Sequence, residues 1–136
     1  YFVLEAFDKL ILEQPEEQII SKGGAILFLE VENTVVGTLA LIKHSDKTCE
    51  LAKMAVNENY RTRGFGRKLL KDAIRTVQKM GFDEMILFTS RKLVAANSLY
   101  YSFEFLDKKM TADEEKKYER LSFKMKLNIN SKIDEV

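Results

Sequence analysis

The sequence predicts an α/β domain with a mixed sheet, and three observations carry that prediction. The β-rich runs "AILFLEVE", "VVGTLALIK" and "TCELAKMAV", between residues 25 and 56, are joined by short polar turns, which argues for an antiparallel three-strand meander. Residues 66–80 put Leu69, Leu70, Ala73, Ile74 and Val77 on one helical face and end at Gly81. The apolar run "EMILFTS" follows, so strand, helix and strand from Glu50 to Ser90 form a βαβ unit with parallel strands. A length of 136 residues, 46% hydrophobic and 32% charged, suits one globular domain around one core.

The remaining elements follow in order. The opening "YFVLEAFDKLIL" spaces Val3, Phe7, Leu10 and Ile11 at helical intervals and predicts an amphipathic helix. A second, short helix is marked by its ends: Pro15 fits the first position, Glu16 and Glu17 suit the positive end of the dipole, and Lys22, Gly23 and Gly24 close it. Asn33 and Thr34 divide the first two strands, and Ser45 and Asp46 mark the next turn. Beyond the βαβ unit, Ala96, Leu99, Tyr100 and Phe103 predict a helix over 95–103, and "EFLDKK" begins another strand. The stretch "TADEEKKY" has a capping-box pattern, Thr111 with Glu114, but is too polar for the core and reads as a loop with at most one helical turn. The run "RLSFKMKLNI" alternates strictly, with Leu121, Phe123, Met125, Leu127 and Ile129 facing one way, and makes a C-terminal strand pair with "EFLDKK". The domain therefore spans 1–129, with 130–136 as a tail.

Composition excludes several function classes. A net charge of +1 gives no global field toward nucleic acid or an anionic membrane, so anion binding must come from local clustering. One cysteine, Cys49, rules out an internal disulfide framework and reads as inert filler in a reducing compartment. His44 has no ligand-spaced partner, so no metal site is expected. No apolar run reaches about 18 residues and no leader opens the chain, so neither a membrane span nor a signal peptide is expected, and the cytoplasm is the expected compartment.

Charge does cluster in one place. From Asn57 to Lys71, Arg61, Arg63, Arg67, Lys68 and Lys71 stand against the single anionic Glu58. Gly64 and Gly66 sit where a strand ends and a helix begins, and such a junction leaves the first helical N–H groups without partners. Free donors, the positive dipole end and glycines that admit close approach together suit a diphosphate. The competing reading is a solvated helix start behind an ordinary loop. The spacing matches neither a Walker A loop nor a dinucleotide fingerprint.

Here the sequence resembles the GCN5-related N-acetyltransferase (GNAT) superfamily, in its small bacterial-type single-domain form. "ELAKMAVNENYRTRGFGRKLL" is similar to the family's strand-loop-helix signature, whose Q/R-x-x-G-x-G/A pattern is met by Arg61, Gly64 and Gly66. "AANSLYYSFEF" resembles a second family block through Ala96, Leu99, Tyr100 and Phe105, and the element order fits from about Tyr1 to Ile129. The resemblance implies a GNAT-like fold and acetyl-CoA as co-substrate, with no metal. It implies that the backbone of Met54, Ala55 and Val56 pairs with the pantetheine arm as an added strand would. It also implies that N–H groups of Arg61, Thr62, Arg63, Gly64, Phe65 and Gly66, extending into Arg67, hold the pyrophosphate. Lys68 and Arg63 either reach the outer phosphate or stay solvated; Asn97 either touches the coenzyme or is a helix-surface amide.

The implied reaction is direct transfer of acetyl to a primary amine, which needs a base, an oxyanion donor and an acid. Glu50, fourteen residues before Gly64, is the candidate base, and strand alternation puts it on one face with Ala52, Met54 and Val56. Its alternative is a rim carboxylate paired with Lys53 or Lys43. Tyr100 is the candidate acid, with core packing as its alternative and Tyr101 as the neighbour if the register shifts by one. The oxyanion would meet a backbone N–H near Met54 or Val56.

Three departures from the family pattern stand out. Glu104 replaces a glycine, "TSRKL" lacks a family asparagine, and the family's opening strand is either outside this sequence or missing, leaving one sheet edge unpaired or covered by another chain. The expected partner is a small-molecule or peptide amine, with no nucleic acid or membrane, and the chain is expected as a monomer or homodimer. Residues 1–24 and 108–120 would set acceptor specificity, and Asp113, Glu114 and Glu115 either attract a cationic amine or solvate a loop. A non-catalytic acyl-CoA sensor is the alternative from another class; salt-dependent nucleic-acid binding by the arginine turn is a third.

Overall fold

The computed structural model describes Phe2–Val3 and residues 16–129. Strand β1 (Phe2–Val3) precedes helix α1 (Glu16–Ser21), and β2 (Ala25–Val31), β3 (Thr34–Lys43) and β4 (Thr48–Val56) form the antiparallel meander. A single 3₁₀ turn, Glu58–Tyr60, leads into α2 (Phe65–Lys79), then β5 (Glu84–Ser90) and α3 (Val94–Ser102). The chain closes with β6 (Leu106–Lys108), α4 (Ala112–Lys117) and β7 (Ser122–Asn128). The sheet order is β1-β2-β3-β4-β5-β7-β6, parallel only between β4 and β5. This is the mixed sheet expected from the meander and the βαβ unit.

Several boundaries correct the sequence reading. The opening stretch begins as strand: Phe2 and Val3 pair antiparallel with Leu29 and Phe28 of β2, so Val3 is not helical and the sheet has its first strand. Phe7, Leu10 and Ile11 lie outside the described residues, as do residues 130–136. The β2–β3 turn is Glu32-Asn33, both at positive φ (50° and 65°), closed by the Val31–Thr34 pair. A two-residue turn of that hand matches strand twist, which is why the hairpin turns one residue earlier than Asn33-Thr34. Residues 112–117 form α4, with the Thr111 side chain accepting from the Glu114 N–H and the Glu114 carboxylate accepting from the Thr111 N–H. Polarity had argued against a helix there, but reciprocal capping holds one turn and a half on the surface. Leu121 precedes β7 and is exposed, whereas Phe123, Met125, Leu127 and Ile129 are buried as the alternation requires.

The core lies between the sheet and the α2–α3 face. Leu69, Leu70, Ala73, Ile74 and Val77 of α2 are each at most 2% exposed, and each large one of them contributes about 2 kcal/mol relative to exposure. They meet Leu27 and Leu29 of β2, Leu39 and Leu41 of β3, Leu51 of β4 and Met85 and Leu87 of β5. On the opposite face Ile19 of α1 packs with Ile26, Phe28 and Ala40. Cys49 is buried in the larger core, and desolvation together with the neighbouring Glu50 charge pushes its thiol up to about 12, so it is unreactive filler as expected.

Candidate active site

The parallel pairing of β4 with β5 is short. It covers Thr48–Glu84, Cys49–Met85 and Glu50–Ile86, and from Leu51 onward β4 has no β5 partner among the described residues. The cause lies on the other side of β4. The β3 register slips between Thr38 and Ala40, and Lys53 takes a left-handed φ of 55°. That extra residue bends β4 and sharpens its twist away from β5.

The bulge also corrects the predicted faces. Leu51 and Met54 both pack toward the α2 core, while Ala52 packs with the Ile19 cluster on the other face. Strict alternation put Glu50, Ala52 and Met54 together; the inserted Lys53 turns Met54 over.

A cleft of about 690 Å3 opens where the strands part. Glu50 and Tyr100 both line it, so two residues fifty positions apart in the chain share one cavity. The Glu50 side chain is only 13% exposed, and its Oε1 lies 2.7 Å from His44 Nε2. Of the two expected lysine partners, Lys43 instead pairs with Asp46 at 3.2 Å. Sequence reasoning dismissed His44 for want of metal partners. The available signal was hairpin register: Ile42 pairs with Glu50 and the His44 N–H bonds to the Thr48 carbonyl, which makes His44 and Glu50 diagonal neighbours on one face.

Tyr100 is 8% exposed and meets the Phe105 ring edge-on at 6.0 Å. Burial holds its phenol above the ordinary range, so it stays protonated and able to donate across neutral pH. Tyr101 faces out, 42% exposed, with its hydroxyl donating to Asp107 at 2.5 Å. Asn97 turns inward and is not the surface amide of the alternative reading. It accepts from the Thr89 hydroxyl at 2.8 Å and donates to the Ser90 carbonyl at 2.9 Å, fixing the start of α3 to the end of β5. At Glu104, where the family pattern has glycine, the chain takes a left-handed φ of 72°, a conformation that favours glycine.

The glycine-arginine turn lies beyond the C-terminal end of β4. Thr62 and Gly64 both have positive φ (66° and 82°), and α2 starts at Phe65 with no side-chain cap. Left-handed threonine is costly, of order 1–3 kcal/mol, and such strain collects at binding turns. No atom lies within 4 Å of where a Gly64 Cβ would stand, and at Gly66 the nearest is Leu99 Cδ2 at 3.5 Å. Packing inside the protein therefore does not demand glycine at 66. The first intrahelical bond there runs from the Lys68 N–H to the Gly64 carbonyl, so the preceding N–H groups have no helical acceptor.

The basic side chains frame this turn. Arg61 Nε donates to the Val56 carbonyl at 3.2 Å, and Arg67 donates to the Ser102 hydroxyl at 3.1 Å with its guanidinium 5.0 Å from the Phe103 ring. Arg63 lies 5.4 Å from the Tyr60 ring, and Lys68 pairs with Asp72 at 3.3 Å. Arg61 and Arg67 thus brace the turn against β4 and α3.

The cleft also contains residues the sequence did not single out. Tyr118 stacks on Phe88 at 4.4 Å, and both line the cleft with Lys117. Burial, then the charges of Glu50 and Glu114, hold the Tyr118 phenol above its usual range. Of the acidic trio, Glu114 accepts from Lys124 at 3.1 Å and caps α4, while Asp113 and Glu115 are exposed and do not line the cleft. Among the described residues there is no cluster that could hold a metal and no helix long and apolar enough to cross a membrane.

Comparison with known proteins gives consistent results. Residues 3–105 match the family described as the Acetyltransferase (GNAT) family. An uncharacterized N-acetyltransferase of Bacillus subtilis, YvbK, is 29% identical over 104 residues, covering 74% of this chain and 67% of that protein. The rat N-acetyltransferase family 8 member 3 is 28% identical over 96 residues, 67% of this chain but only 42% of that longer protein. Among solved structures, a Bacillus subtilis acetyltransferase in complex with CoA has a TM-score of 0.73 at 22% identity, covering 94% of this chain and 96% of that one. A GNAT family acetyltransferase from Elizabethkingia anophelis with acetyl-CoA bound has a TM-score of 0.69 at 18% identity, covering 92% and 85%. At such identities these structural likenesses are likenesses of fold.

Proposed function

The chain belongs to the GNAT acetyltransferase family, and from that premise we propose that it transfers the acetyl group of acetyl-CoA directly to a primary amine, with Glu50 as general base and Tyr100 as general acid. One observation carries the reading: Glu50 and Tyr100 line a single cleft at the point where β4 leaves β5. The residues present also fit the co-substrate. The side of β4 turned toward β5 has no strand partner beyond Glu50 among the described residues, so the main chain of Met54, Ala55 and Val56, held on its other side by Thr38 and Gly37 of β3, offers strand-type donors and acceptors to an extended arm. The open space over Gly64 admits a pyrophosphate to the N–H groups from Thr62 to Arg67, whereas the expected Arg61 N–H is already given to the Glu58 carbonyl. Asn97 serves this end by holding α3, and with it Tyr100, against β5.

The chemistry needs a neutral amine. The Glu50 carboxylate, held at Oε1 by His44, accepts a proton from the ammonium form of the acceptor and leaves its nitrogen lone pair free. That lone pair attacks the thioester carbonyl carbon, and a main-chain N–H of the bulged strand near Met54 stabilises the oxyanion. As the carbon–sulfur bond breaks, the Tyr100 phenol donates its proton to the departing thiolate, the proton shed by the acylated nitrogen returns to the Tyr100 phenolate, and Glu50 releases its own to solvent. Burial of that phenol keeps it protonated across neutral pH, in the form that can donate.

Thiol release from acetyl-CoA with a panel of amines tests this directly. Glu50→Gln should lower kcat by roughly 10²- to 10⁴-fold on the best acceptor, and Tyr100→Phe should lower it less, both with CoA affinity retained. Unchanged turnover in the double variant would overturn the mechanism. CoA binding without turnover of any amine by the wild-type protein would favour a sensor.

A further inference from the structure

The walls of the acceptor cleft carry both signs of charge. Among the described residues that line it, Glu50 is the one carboxylate, facing two ammonium groups, Lys53 and Lys117. A di- or polyamine would place its second cation against lysine, and the acidic trio of α4 does not relieve this because Glu114 is bonded to Lys124 and Thr111.

Lys117 is the distinctive member. It ends α4, is exposed, and lies with Nζ 5.6 Å from the Tyr118 ring. Tyr118 stacks on Phe88, whose other face neighbour is Lys124, 5.7 Å from the ring. The two ammonium groups beside this aromatic pair differ in their partners. Lys124 has its charge met by Glu114 at 3.1 Å, whereas Lys117 has no ion pair among the described residues. Glu50 and Tyr118 line the same cleft, near enough for the Glu50 charge to act on the phenol. A carboxylate to receive an ammonium and a lysine to receive an anion are therefore brought to one cleft with the same tyrosine.

We infer that the acceptor is a small amine bearing an oxyanion, a carboxylate or a phosphate, within a few bonds of its amino group, and that Lys117 recognises that anion. The ammonium meets Glu50, the anion meets Lys117, and the apolar part of the molecule lies along Phe88 and Tyr118. Complementary charges of this kind fix orientation and reject wrong acceptors more than they add affinity. The inference rests on the acetyltransfer reading and specifies its acceptor.

The test compares kcat/KM for an amino acid, the same amino acid as its carboxamide, and 2-aminoethyl phosphate, in the wild-type protein and in Lys117→Ala and Lys117→Glu. The wild type should favour at least one anionic acceptor over the neutral amide by about threefold to fivefold, and the favoured arm identifies the oxyanion. Lys117→Ala should remove the preference and Lys117→Glu should reverse it, with CoA affinity by thermal shift unchanged in both. Equal rates for acid and amide in the wild type, or a preference that survives Lys117→Glu, would overturn the inference while leaving acetyltransfer standing. If CoA binds and no amine of either kind is acetylated, the acetyltransfer reading falls and this inference with it.

Discussion

At one end of the split sheet the proposed binding groups are main-chain N–H donors of the turn from Thr62 to Arg67; at the other they are side chains brought from the β3–β4 hairpin, α3 and the end of α4. The first end has its shape fixed locally, by left-handed Thr62 and Gly64 and by the uncapped start of α2. The second has its shape fixed by long-range contacts: His44 on Glu50, Tyr118 on Phe88, Asn97 on Thr89 and Ser90. A backbone site tolerates side-chain change and fails when φ changes. A side-chain site does the reverse, and that contrast can be broken by experiment.

The largest effect on CoA affinity should come from the backbone end. Gly64→Val puts a β-branched residue at φ 82°, and it should weaken CoA binding by roughly 30- to 100-fold in calorimetry. Arg63→Ala, which removes a cation but no N–H donor, should weaken it about threefold or less. If Arg63→Ala is as damaging as Gly64→Val, side-chain charge and not main-chain geometry holds the phosphates.

A smaller effect is expected at the side-chain end. His44→Ala frees the Glu50 carboxylate to adopt other rotamers and should lower kcat/KM for the amine by about fivefold, with CoA affinity unchanged. His44→Gln, whose amide can donate to the same oxygen, should recover most of the loss. A pH profile of kcat/KM that is identical in all three proteins would show that His44 does not act through Glu50.

The smallest effect concerns stability outside both ends. Burial works to raise the Glu84 pKa, but the Thr48 hydroxyl and the Lys126 ammonium, 3.1 Å away, outweigh it and hold the carboxyl below the usual range. Glu114 is lowered likewise by the Thr111 N–H and Lys124 against its own burial. A carboxyl whose pKa is lowered by folding contributes stability that is present above its unfolded value, about 4.3, and is lost as pH falls through the folded value. The melting temperature should therefore drop below about pH 4, and Lys126→Gln should lessen the part of that drop due to Glu84. A melting temperature flat to pH 3 would show these pairs to be inconsequential.

The sequence disclosed the backbone end because glycine spacing, a preceding strand and a following amphipathic helix are local signals. Gly64 and Gly66 carry that information on their own. The same holds for α2 and β5, whose periodicity and ends survive almost unchanged in the structure. The bulge at Lys53 left no comparable trace, since "LAKMAV" is compatible with a regular strand and its φ is set by pairing with β3. His44 was legible only through the exact register of a hairpin, and Tyr118 only through the place of a capped helix judged too polar to form. Glu50 and Tyr100 were found through resemblance; their meeting in one cavity is a property of the tertiary fold.

The three-residue pairing of β4 with β5 has a further consequence, for what the protein avoids. Open strand edges invite other chains to add themselves, and a sheet normally guards its borders against this. Here the unpaired main chain of β4 lies inside the sheet, in a wedge that narrows to closure at Glu50 with α3 side chains along its wall. The sheet's outer borders are β1 and β6; the β4 wedge is bounded by strand on both sides, so whatever pairs with it enters between β4 and β5 and not along an open border.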